Sequence, residues 1–311
     1  MSPESLNKIR SAILDPIWRR LSRGNVFQLG RLRQYAPREL RVELFPEATE
    51  PLSEWPTMAV VIPSYQQGQY IERTLGSILN DNYPGLTCTV QDGGSTDATV
   101  AILNRYAERL APCVSLPDRG QADAVVKGFA RIQGDIMAWL NADDMFMPGA
   151  LRFVGRYFEA NPEVDVIYGH RVMIDSEDRE IGRWVVPAYD RQTLQWIDYV
   201  PQETLFWRRR IWHKVGGVDA RFQFALDWDL LLRFRRSGAT IRRLPYFLGC
   251  FRVHPAQKTQ ASRACGVEEI AELHLREHGR PMTADEVEYW TRRTQIRGAW
   301  CAALLRFGIR R

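Results

Sequence analysis

The chain has 311 residues, 45% of them hydrophobic and 25% charged, which predicts a folded domain with a buried core and excludes wholesale disorder. The net charge of +5 is concentrated at the two ends, because residues 1–45 carry nine basic and four acidic side chains and residues 276–311 carry eight and four. The intervening chain is net negative, which argues against a nucleic-acid-binding groove through the core, so no nucleic-acid partner is expected.

The five cysteines are scattered and show no C-x-x-C spacing, which favours a reducing cytoplasm over a disulfide framework or a zinc knuckle. The first 30 residues lack the apolar core of a secretory signal, and no 18 consecutive residues are apolar. We therefore expect a cytoplasmic protein without a membrane-spanning helix.

The first half of the chain alternates apolar runs with helix-like stretches at residues 71–80 and 98–110. The apolar runs predict strands at Met58–Ile62, Thr87–Gln91, Cys113–Leu116 and Ile136–Leu140. This order predicts a parallel sheet with crossover helices, in which ligands bind at the carboxyl ends of the strands. Those ends are the loops Pro63–Tyr70, Asp92–Asp97, Pro117–Ala122 and Asn141–Met147.

The second half is less regular. It predicts helices at 149–161 and 227–236 and strands at Val164–Tyr168, 240–247 and 249–253. The terminal segments lack the strand pattern, and we expect them to form helical extensions.

The loop Asp92–Asp97 joins a strand to a helix. Thr96 or Asp97 could simply cap that helix, with the glycines supplying the turn. Capping does not explain Asp92, which could accept a hydrogen bond from a nucleotide base. The G-x-G-x-x-G fingerprint is absent, which counts against a nicotinamide or flavin enzyme. In the next loop, Asp118 and Arg119 could contact a base or phosphate, or form an ordinary surface pair.

Asn141-Ala142-Asp143-Asp144 follows the most apolar strand. Carboxylates at such a position are natural ligands for Mg²⁺ or Mn²⁺, although they could also cap a helix. A further ligand would have to come from elsewhere, and His254 is a candidate unless it is a structural histidine.

Asp227-Trp228-Asp229 opens an apolar helix. Acidic residues in a first helical turn are favoured by the helix dipole, so capping is one interpretation. The other is a general base that takes a proton from an acceptor hydroxyl. Aromatic neighbours suit either a sugar-binding wall or a core.

Taken together and in order, these motifs resemble the family 2 inverting glycosyltransferases of the GT-A fold over roughly residues 57–260. The resemblance rests on the following segments: Val60–Tyr65, Gln91–Asp97, Asp118–Ala124 with Lys127 and Gly128, Asn141–Asp144, Gln202, Phe206–Arg209, Gly216–Asp219, Leu226–Leu230 and Phe251–His254. It implies an α/β fold with a Rossmann-like, mostly parallel sheet flanked by helices, and helical N- and C-terminal extensions.

The resemblance also implies roles for individual residues. The nucleotide-sugar would contact Pro63, Tyr65, Asp92, Asp118, Asn141 and Asp143. A divalent cation, Mn²⁺ or Mg²⁺, would lie on Asp143 and His254; Asp227 would be the catalytic base; and Gln202 and Trp228 would face the acceptor or donor sugar. Two positions depart from the family pattern: Asn141 replaces the first aspartate of the Asp-x-Asp motif, and Leu226 replaces an acidic residue that often precedes the base.

The implied reaction moves one sugar from a nucleotide-diphosphate sugar, with a UDP-sugar favoured, to a glycan or lipid-linked acceptor with inversion, in cell-surface polysaccharide biosynthesis. The implied domains are a basic extension (1–55), a catalytic domain (56–261, with a nucleotide half 56–148 and an acceptor half 149–261) and a helical extension (262–311). One alternative is a catalytically silent nucleotide-sugar-binding protein on the same fold. Another is a metal-dependent phosphodiesterase, which would need more carboxylate and histidine ligands than the five histidines suggest.

The basic ends permit two interpretations. Residues 5–23 and 297–311 combine apolar side chains with arginines, and such segments can lie on an anionic membrane surface as a peripheral contact. Alternatively, they are helices that pack on the catalytic domain with a solvated basic face.

Overall fold

The computed structural model describes residues 34–46, 54–255, 257 and 263–310. Its strands are β1 (Met58–Ser64), β2 (Leu86–Asp92), β3 (Val114–Ser115), β4 (Ile136–Trp139), β5 (Met145–Phe146), β6 (Val166–Ile174), β7 (Glu180–Trp184), β8 (Phe206–Arg208) and β9 (Ile241–Arg252). Its α-helices are α1 (Ile71–Leu79), α2 (Thr99–Arg105), α3 (Gln121–Phe129), α4 (Ala150–Ala160), α5 (Arg191–Trp196), α6 (Arg209–Val215), α7 (Leu226–Arg236), α8 (Arg263–His278) and α9 (Ala284–Arg306).

The strands of the described residues form one sheet in the order β3-β2-β1-β4-β8-β6-β9-β5, with β7 paired to β6. The pairs β1–β2, β1–β4, β2–β3 and β6–β9 are parallel, and they include the longest ladders. The expected α/β fold with a mostly parallel sheet is thereby confirmed. Antiparallel pairing enters where β8 lies against β4 and β6.

Most predicted elements lie where the sequence places them, with three local differences. The third predicted strand is reduced to Val114–Ser115, and the second predicted helix ends at Arg105 and continues as a 3₁₀ turn at Ala107–Arg109. The two predicted strands at 240–247 and 249–253 are one strand, β9. Gly249 permits this continuity because a Cβ there would lie only 2.5 Å from the Glu203 carbonyl oxygen.

Two apolar layers cover the two faces of the sheet. One contains Ile62 and Leu75 and reaches Phe158, and the other contains Val61 and Trp207. Every residue of β1 is buried, as expected for a central parallel strand. The second layer includes Leu273 of α8, so part of the C-terminal segment belongs to the core of the catalytic unit.

The terminal segments differ from each other. Residues 34–46 are extended and pack on β7. There, the fully buried carboxylate of Glu180 accepts hydrogen bonds from the Tyr35 hydroxyl and from the Arg38 guanidinium, the latter at 2.6 Å. This part of the predicted N-terminal extension is therefore not helical, and the amphipathic stretch 5–23 lies outside the described residues. The described C-terminal segment is helical, as α8 and α9.

Candidate active site

The predicted nucleotide contacts lie where β1, β2 and β3 end. Pro63 is buried in β1, whereas the Tyr65 side chain just beyond it is 62% exposed. Gly93 separates Tyr65 from Asp118: a Cβ at this glycine would lie 3.3 Å from both the Tyr65 ring and an Asp118 carboxylate oxygen. The structure thus brings an exposed aromatic ring and a carboxylate together across a glycine, which leaves room for a flat ligand.

Asp92 serves the architecture of this loop. Its side chain is fully buried, and its oxygens accept hydrogen bonds from Ser95 N at 2.8 Å, Ser95 Oγ at 2.6 Å, Ser115 Oγ at 2.6 Å and Gly94 N at 3.2 Å. These bonds fasten the loop to β3. A direct bond from Asp92 to a base stays a prediction.

The basic residues of the Asp118–Lys127 motif are engaged with a carboxylate of the same segment. Arg119 and Lys127 form ion pairs with Asp123 at 3.0 and 2.8 Å. The bond from Lys127 is the main reason that the pKa of Asp123 is well below its usual range. Asp118 accepts from Gly120 N at 2.8 Å, so it also shapes the start of α3.

Asn141 and Asp144 belong to a chain of side-chain hydrogen bonds beyond β4. Gln121 donates to Asn141 Oδ1 at 2.6 Å, and Asn141 donates to Asp144 Oδ2 at 3.2 Å. Asp144 is buried and also accepts from Arg252 N at 3.0 Å. Desolvation, and then the charge of Asp143, raise the pKa of Asp144 well above its ordinary value. Asn141 therefore orients this loop without adding a third negative charge.

Asp143 and His254, 111 residues apart in the sequence, meet in the structure: Asp143 Oδ2 lies 3.0 Å from His254 Nε2. The His254 ring packs on Tyr70 with centroids 4.7 Å apart, and Arg252 donates to the Asp143 carbonyl at 2.7 Å. A carboxylate and an imidazole that converge from two strand ends fit a divalent cation. No group of three or more histidine, cysteine or acidic side chains suited to a metal occurs in the described part of the chain. The pair could therefore supply only part of a cation's ligands.

A cavity of about 400 Å³ begins beside this loop and extends to α7. Aromatic and aliphatic side chains dominate its wall, together with several polar groups. They include Gln121, Trp139, Asn141, Asp144, Arg171, Trp184, Trp196, Asp198, Gln202, Glu203, Phe224, Asp227, Trp228, Phe251, Ile270, His274, Met282, Val287 and Thr291. A mostly apolar cleft with a few convergent polar groups is the usual form of a small-molecule site.

The two acidic residues in the first turn of α7 have different surroundings. Asp229 is fully buried and forms ion pairs with Arg233 at 2.6 Å and with Arg276 of α8. Asp227 lies in the cavity wall and accepts from Trp228 N at 2.9 Å. Asp229 thus ties helices together, and Asp227 is the acid directed to the cavity.

The two residues predicted to face the acceptor or the donor sugar, Gln202 and Trp228, also line the cavity. Trp228 is 2% exposed, and its indole N–H donates to the Leu194 carbonyl at 2.8 Å. Gln202 donates to the Trp139 carbonyl at 2.8 Å, and its buried Oε1 has no hydrogen-bond partner among the described residues. Gln202 therefore keeps an acceptor oxygen available within the wall.

Sequence reasoning missed several residues of this cavity. Asp198 faces the same space as Asp227; desolvation, and then the charge of Asp227, raise its pKa well above the ordinary value. Arg171 forms a two-pronged pair with Glu203 at 2.5 Å, and its guanidinium lies 4.3 Å from the Phe251 ring centroid. Nothing in the local sequence marks these residues, because they come from strands and turns without a motif.

Glu269 of α8 is another missed residue, and it holds the backbone turn that leads into α7. Its carboxylate accepts from three consecutive backbone N–H groups, those of Gln223 at 2.6 Å, Phe224 at 2.8 Å and Ala225 at 2.8 Å. These groups immediately precede the helix that carries Asp227. A helix predicted as an extension therefore fixes the position of the candidate base.

Comparison with known proteins identifies relatives of this chain. The O-antigen biosynthesis protein RfbC of Myxococcus xanthus is 27% identical over 241 residues, which are 76% of this chain and 19% of that much longer protein. A PGL/p-HBAD biosynthesis glycosyltransferase of Mycobacterium bovis is 26% identical over 192 residues, covering 60% of this chain and 73% of that protein.

Solved structures show the same fold. TarS of S. aureus (residues 1–349), in complex with UDP-GlcNAc, superposes with a TM-score of 0.59 at 14% identity, covering 78% of this chain and 72% of that one. The mannosyltransferase PcManGT of Pyrobaculum calidifontis, in complex with GDP-Man and Mn²⁺, gives a TM-score of 0.57 at 17% identity, covering 94% and 82%.

The sequence signature of glycosyl transferase family 2 matches residues 59–228, which are more than half of the chain. The match begins in β1 and ends just after Asp227, so it spans the strand-end loops and part of the cavity wall. The chain belongs to glycosyl transferase family 2.

Proposed function

We propose that the protein transfers one sugar from a nucleotide-diphosphate sugar, a UDP-sugar by preference, to a hydroxyl of a glycan or lipid-linked acceptor, with inversion at the anomeric carbon. The observation that carries this proposal is a single cavity whose wall includes Asn141, Asp144 and Asp227. The neighbouring Asp143–His254 pair would hold the diphosphate end of the donor.

In this mechanism the acceptor enters between the aromatic walls and presents its hydroxyl to Asp227. The carboxylate takes the hydroxyl proton while the acceptor oxygen bonds to the anomeric carbon, and the bond from that carbon to the diphosphate breaks on the opposite face. Asp198 also lines this cavity, and desolvation together with the charge of Asp227 raises its pKa well above the ordinary value. We assign the role of base to Asp227 because the family resemblance implies that role and the residue lies in the cavity wall, in the first turn of α7.

Negative charge develops on the nucleotide diphosphate as it leaves, and this charge must be stabilised. A divalent cation, Mn²⁺ or Mg²⁺, held by Asp143 and His254 would stabilise the departing nucleotide diphosphate. Among the protein's own groups, Arg252 keeps Asp143 in place through the Asp143 carbonyl, and the Tyr70 ring supports His254. The TarS complex contains UDP-GlcNAc, and the PcManGT complex contains GDP-Man and Mn²⁺. These ligands support a nucleotide-sugar donor and a cation here.

The relatives support a role in cell-surface glycan biosynthesis, since they are named for O-antigen and PGL/p-HBAD biosynthesis. No helix in the described part of the chain is both long enough and apolar enough to cross a bilayer. We place the reaction in the cytoplasm, where nucleotide-sugars are made.

The test begins with a screen of nucleotide-sugars by thermal shift in the presence of Mn²⁺, because a bound donor raises stability by mass action. With the selected donor, Asp227→Asn should bind normally and release nucleotide about 10²- to 10⁴-fold more slowly than wild type, since it lacks the base. Asp219→Asn, a change in an acid that pairs with Arg221 outside the cavity, is the matched control.

Unchanged turnover in Asp227→Asn would rule out the base assignment. A wild-type protein that binds a UDP-sugar and transfers it to no envelope glycan or lipid-linked acceptor would favour the silent binding protein. Full-rate release of free sugar and nucleotide without acceptor would favour the phosphodiesterase.

A further inference from the structure

The last helix, α9, has two faces with different surroundings. Thr291, Thr294 and Gly298 are buried against the catalytic unit. A Cβ on Gly298 would lie 3.1 Å from the Val185 carbonyl oxygen, so the helix backbone packs closely on this side. The opposite face is turned to solvent.

The outward face of α9 carries large apolar side chains in a single stripe. Tyr289, Ile296, Trp300 and Phe307 are 55%, 60%, 67% and 83% exposed. Their spacing of seven, four and seven residues places them in line along the helix, because an α-helix turns about 100° per residue. Burying the opposite side of the helix in the protein leaves this stripe without cover among the described residues.

More exposed apolar side chains lie beside the end of the stripe. Val42 and Leu44 from the N-terminal segment are 47% and 83% exposed, and Ile309 is 43% exposed. Val42 and Leu44 share a groove with Ala299, Ala303 and Arg306. Seven of the eleven large apolar side chains that are exposed among the described residues belong to this one surface, which we call the α9 face. Scattered exposed apolar residues are ordinary, but this concentration indicates a binding surface.

The charge along the α9 face is uneven: Asp285, Glu286 and Glu288 lie near the start of α9, whereas the part from Tyr289 onward is basic. Residues 289–311 contain six arginines and no acidic residue. Arg293 and Arg297 are drawn inward to Asp190, at 3.6 and 2.8 Å, whereas Arg292 and Arg306 are exposed. The acidic residue of the adjoining groove, Glu43, is 8% exposed and pairs with Arg310 at 2.8 Å.

We propose that the α9 face docks the protein on an anionic phospholipid bilayer. Tryptophan and tyrosine favour the interfacial region of a bilayer, phenylalanine and isoleucine favour its acyl boundary, and arginines attract anionic headgroups. A helix with aromatic and aliphatic side chains on its outer face, arginines beside them and no acidic residue from Tyr289 onward meets all three requirements.

Docking would also orient the cavity. Val287 and Thr291, on the inner side of α9, line the cavity that contains Asp227. One helix thickness, about 10 Å, would then separate the bilayer from the cavity wall. A lipid-linked acceptor could reach the cavity without leaving the membrane. The docking proposal itself does not depend on the proposed reaction.

The experiment is flotation of the full chain with vesicles of phosphatidylcholine alone or containing about 30% phosphatidylglycerol. The wild type should float with the anionic vesicles, less at high salt, and poorly with the neutral ones. The triple variant Ile296→Ser/Trp300→Ser/Phe307→Ser should bind at least about tenfold more weakly, because its apolar anchors are gone. Arg292→Gln/Arg306→Gln should weaken binding and reduce its salt dependence.

The control is Val126→Ser/Leu275→Ser, which removes exposed apolar side chains from other surfaces and should float like wild type. Circular dichroism and thermal unfolding establish that each variant is folded. Wild-type protein that fails to float would overturn the proposal, as would undiminished flotation of the triple variant, which would locate binding elsewhere in the chain. If the triple variant instead abolishes self-association in sedimentation velocity, and vesicles bind neither protein, the α9 face is a contact between copies of the chain.

Discussion

The proposed nucleotide side and the proposed acceptor side of the molecule are assembled in different ways. On the nucleotide side, Tyr65, Asp118 and Asp143 each follow a predicted strand, and the parallel sheet brings their loops to one edge. On the acceptor side, Asp227 depends on groups that are remote in the sequence, above all Glu269 of α8. The comparison teaches that the first site follows from sheet topology, whereas the second follows from helix packing.

The difference extends to the family match. The matched residues, 59–228, include the nucleotide loops and Asp227, but they exclude α8 and α9 entirely. Yet Ile270, His274 and Thr291 from those helices line the cavity, and burial lowers the pKa of His274 to about 4, so it is neutral near pH 7. The cavity wall is therefore partly built by residues outside the shared region.

The largest expected effect tests the nucleotide side. Asp143→Asn should lower turnover about 100-fold or more, because it removes the charged ligand of the proposed cation. Mn²⁺ affinity in the presence of UDP, measured by electron paramagnetic resonance of free Mn²⁺, should fall as well. His254→Gln should act in the same direction, and the double variant should lose less than the two single losses combined, because both side chains would serve one ion. Unchanged Mn²⁺ affinity in both single variants would contradict the metal site.

An intermediate effect tests the acceptor side. Glu269→Gln should lower kcat about tenfold and leave the donor KM unchanged, because charge-assisted bonds to the turn before Asp227 are weakened while the nucleotide loops are untouched. Glu272→Gln, a change on the same helix at a side chain that is 55% exposed, is the control and should behave like wild type. If Glu269→Gln instead raises the donor KM with kcat intact, the two sides are not separately assembled.

The smallest effect concerns stability against pH. The pKa of Asp198 is raised in the folded state, so its contribution to stability is present at low pH and is lost as pH rises through the folded value. Asp198→Asn should therefore gain in melting temperature relative to wild type as pH increases above the unfolded carboxyl pKa of about 4. A constant difference above this pH would contradict the raised pKa.

For Asp123, a carboxylate on the nucleotide side, the contribution to stability should depend on pH in the opposite direction. The pKa of Asp123 is lowered, mainly by Lys127, so its contribution is present above the unfolded pKa and is lost as pH falls. Asp123→Asn should be less stable than wild type at neutral pH, and the difference should shrink toward acid pH. Thermal unfolding of both variants in one series of buffers compares the two sides directly.

The sequence by itself determined the sheet, its crossover helices and the family, because apolar runs and strand-end motifs are local in the chain. It also indicated Asp143, His254 and Asp227 through the resemblance. Their convergence required tertiary structure: β5, which directly follows Asp143 and Asp144, pairs with β9, and this pairing brings Asp143 to His254, 111 residues away.

Tertiary structure alone decided what surrounds Asp227. Asp198, Glu269 and Arg171 carry no motif, and their importance arises from packing between elements that the sequence pattern does not pair. It also decided which side of α9 is buried and which remains exposed, since periodicity cannot identify the face that meets the protein when both faces carry apolar side chains. The sequence identifies the residue types that can act chemically, because motifs are local in the chain. The residues that position them are brought close by long-range contacts, which only the tertiary structure shows.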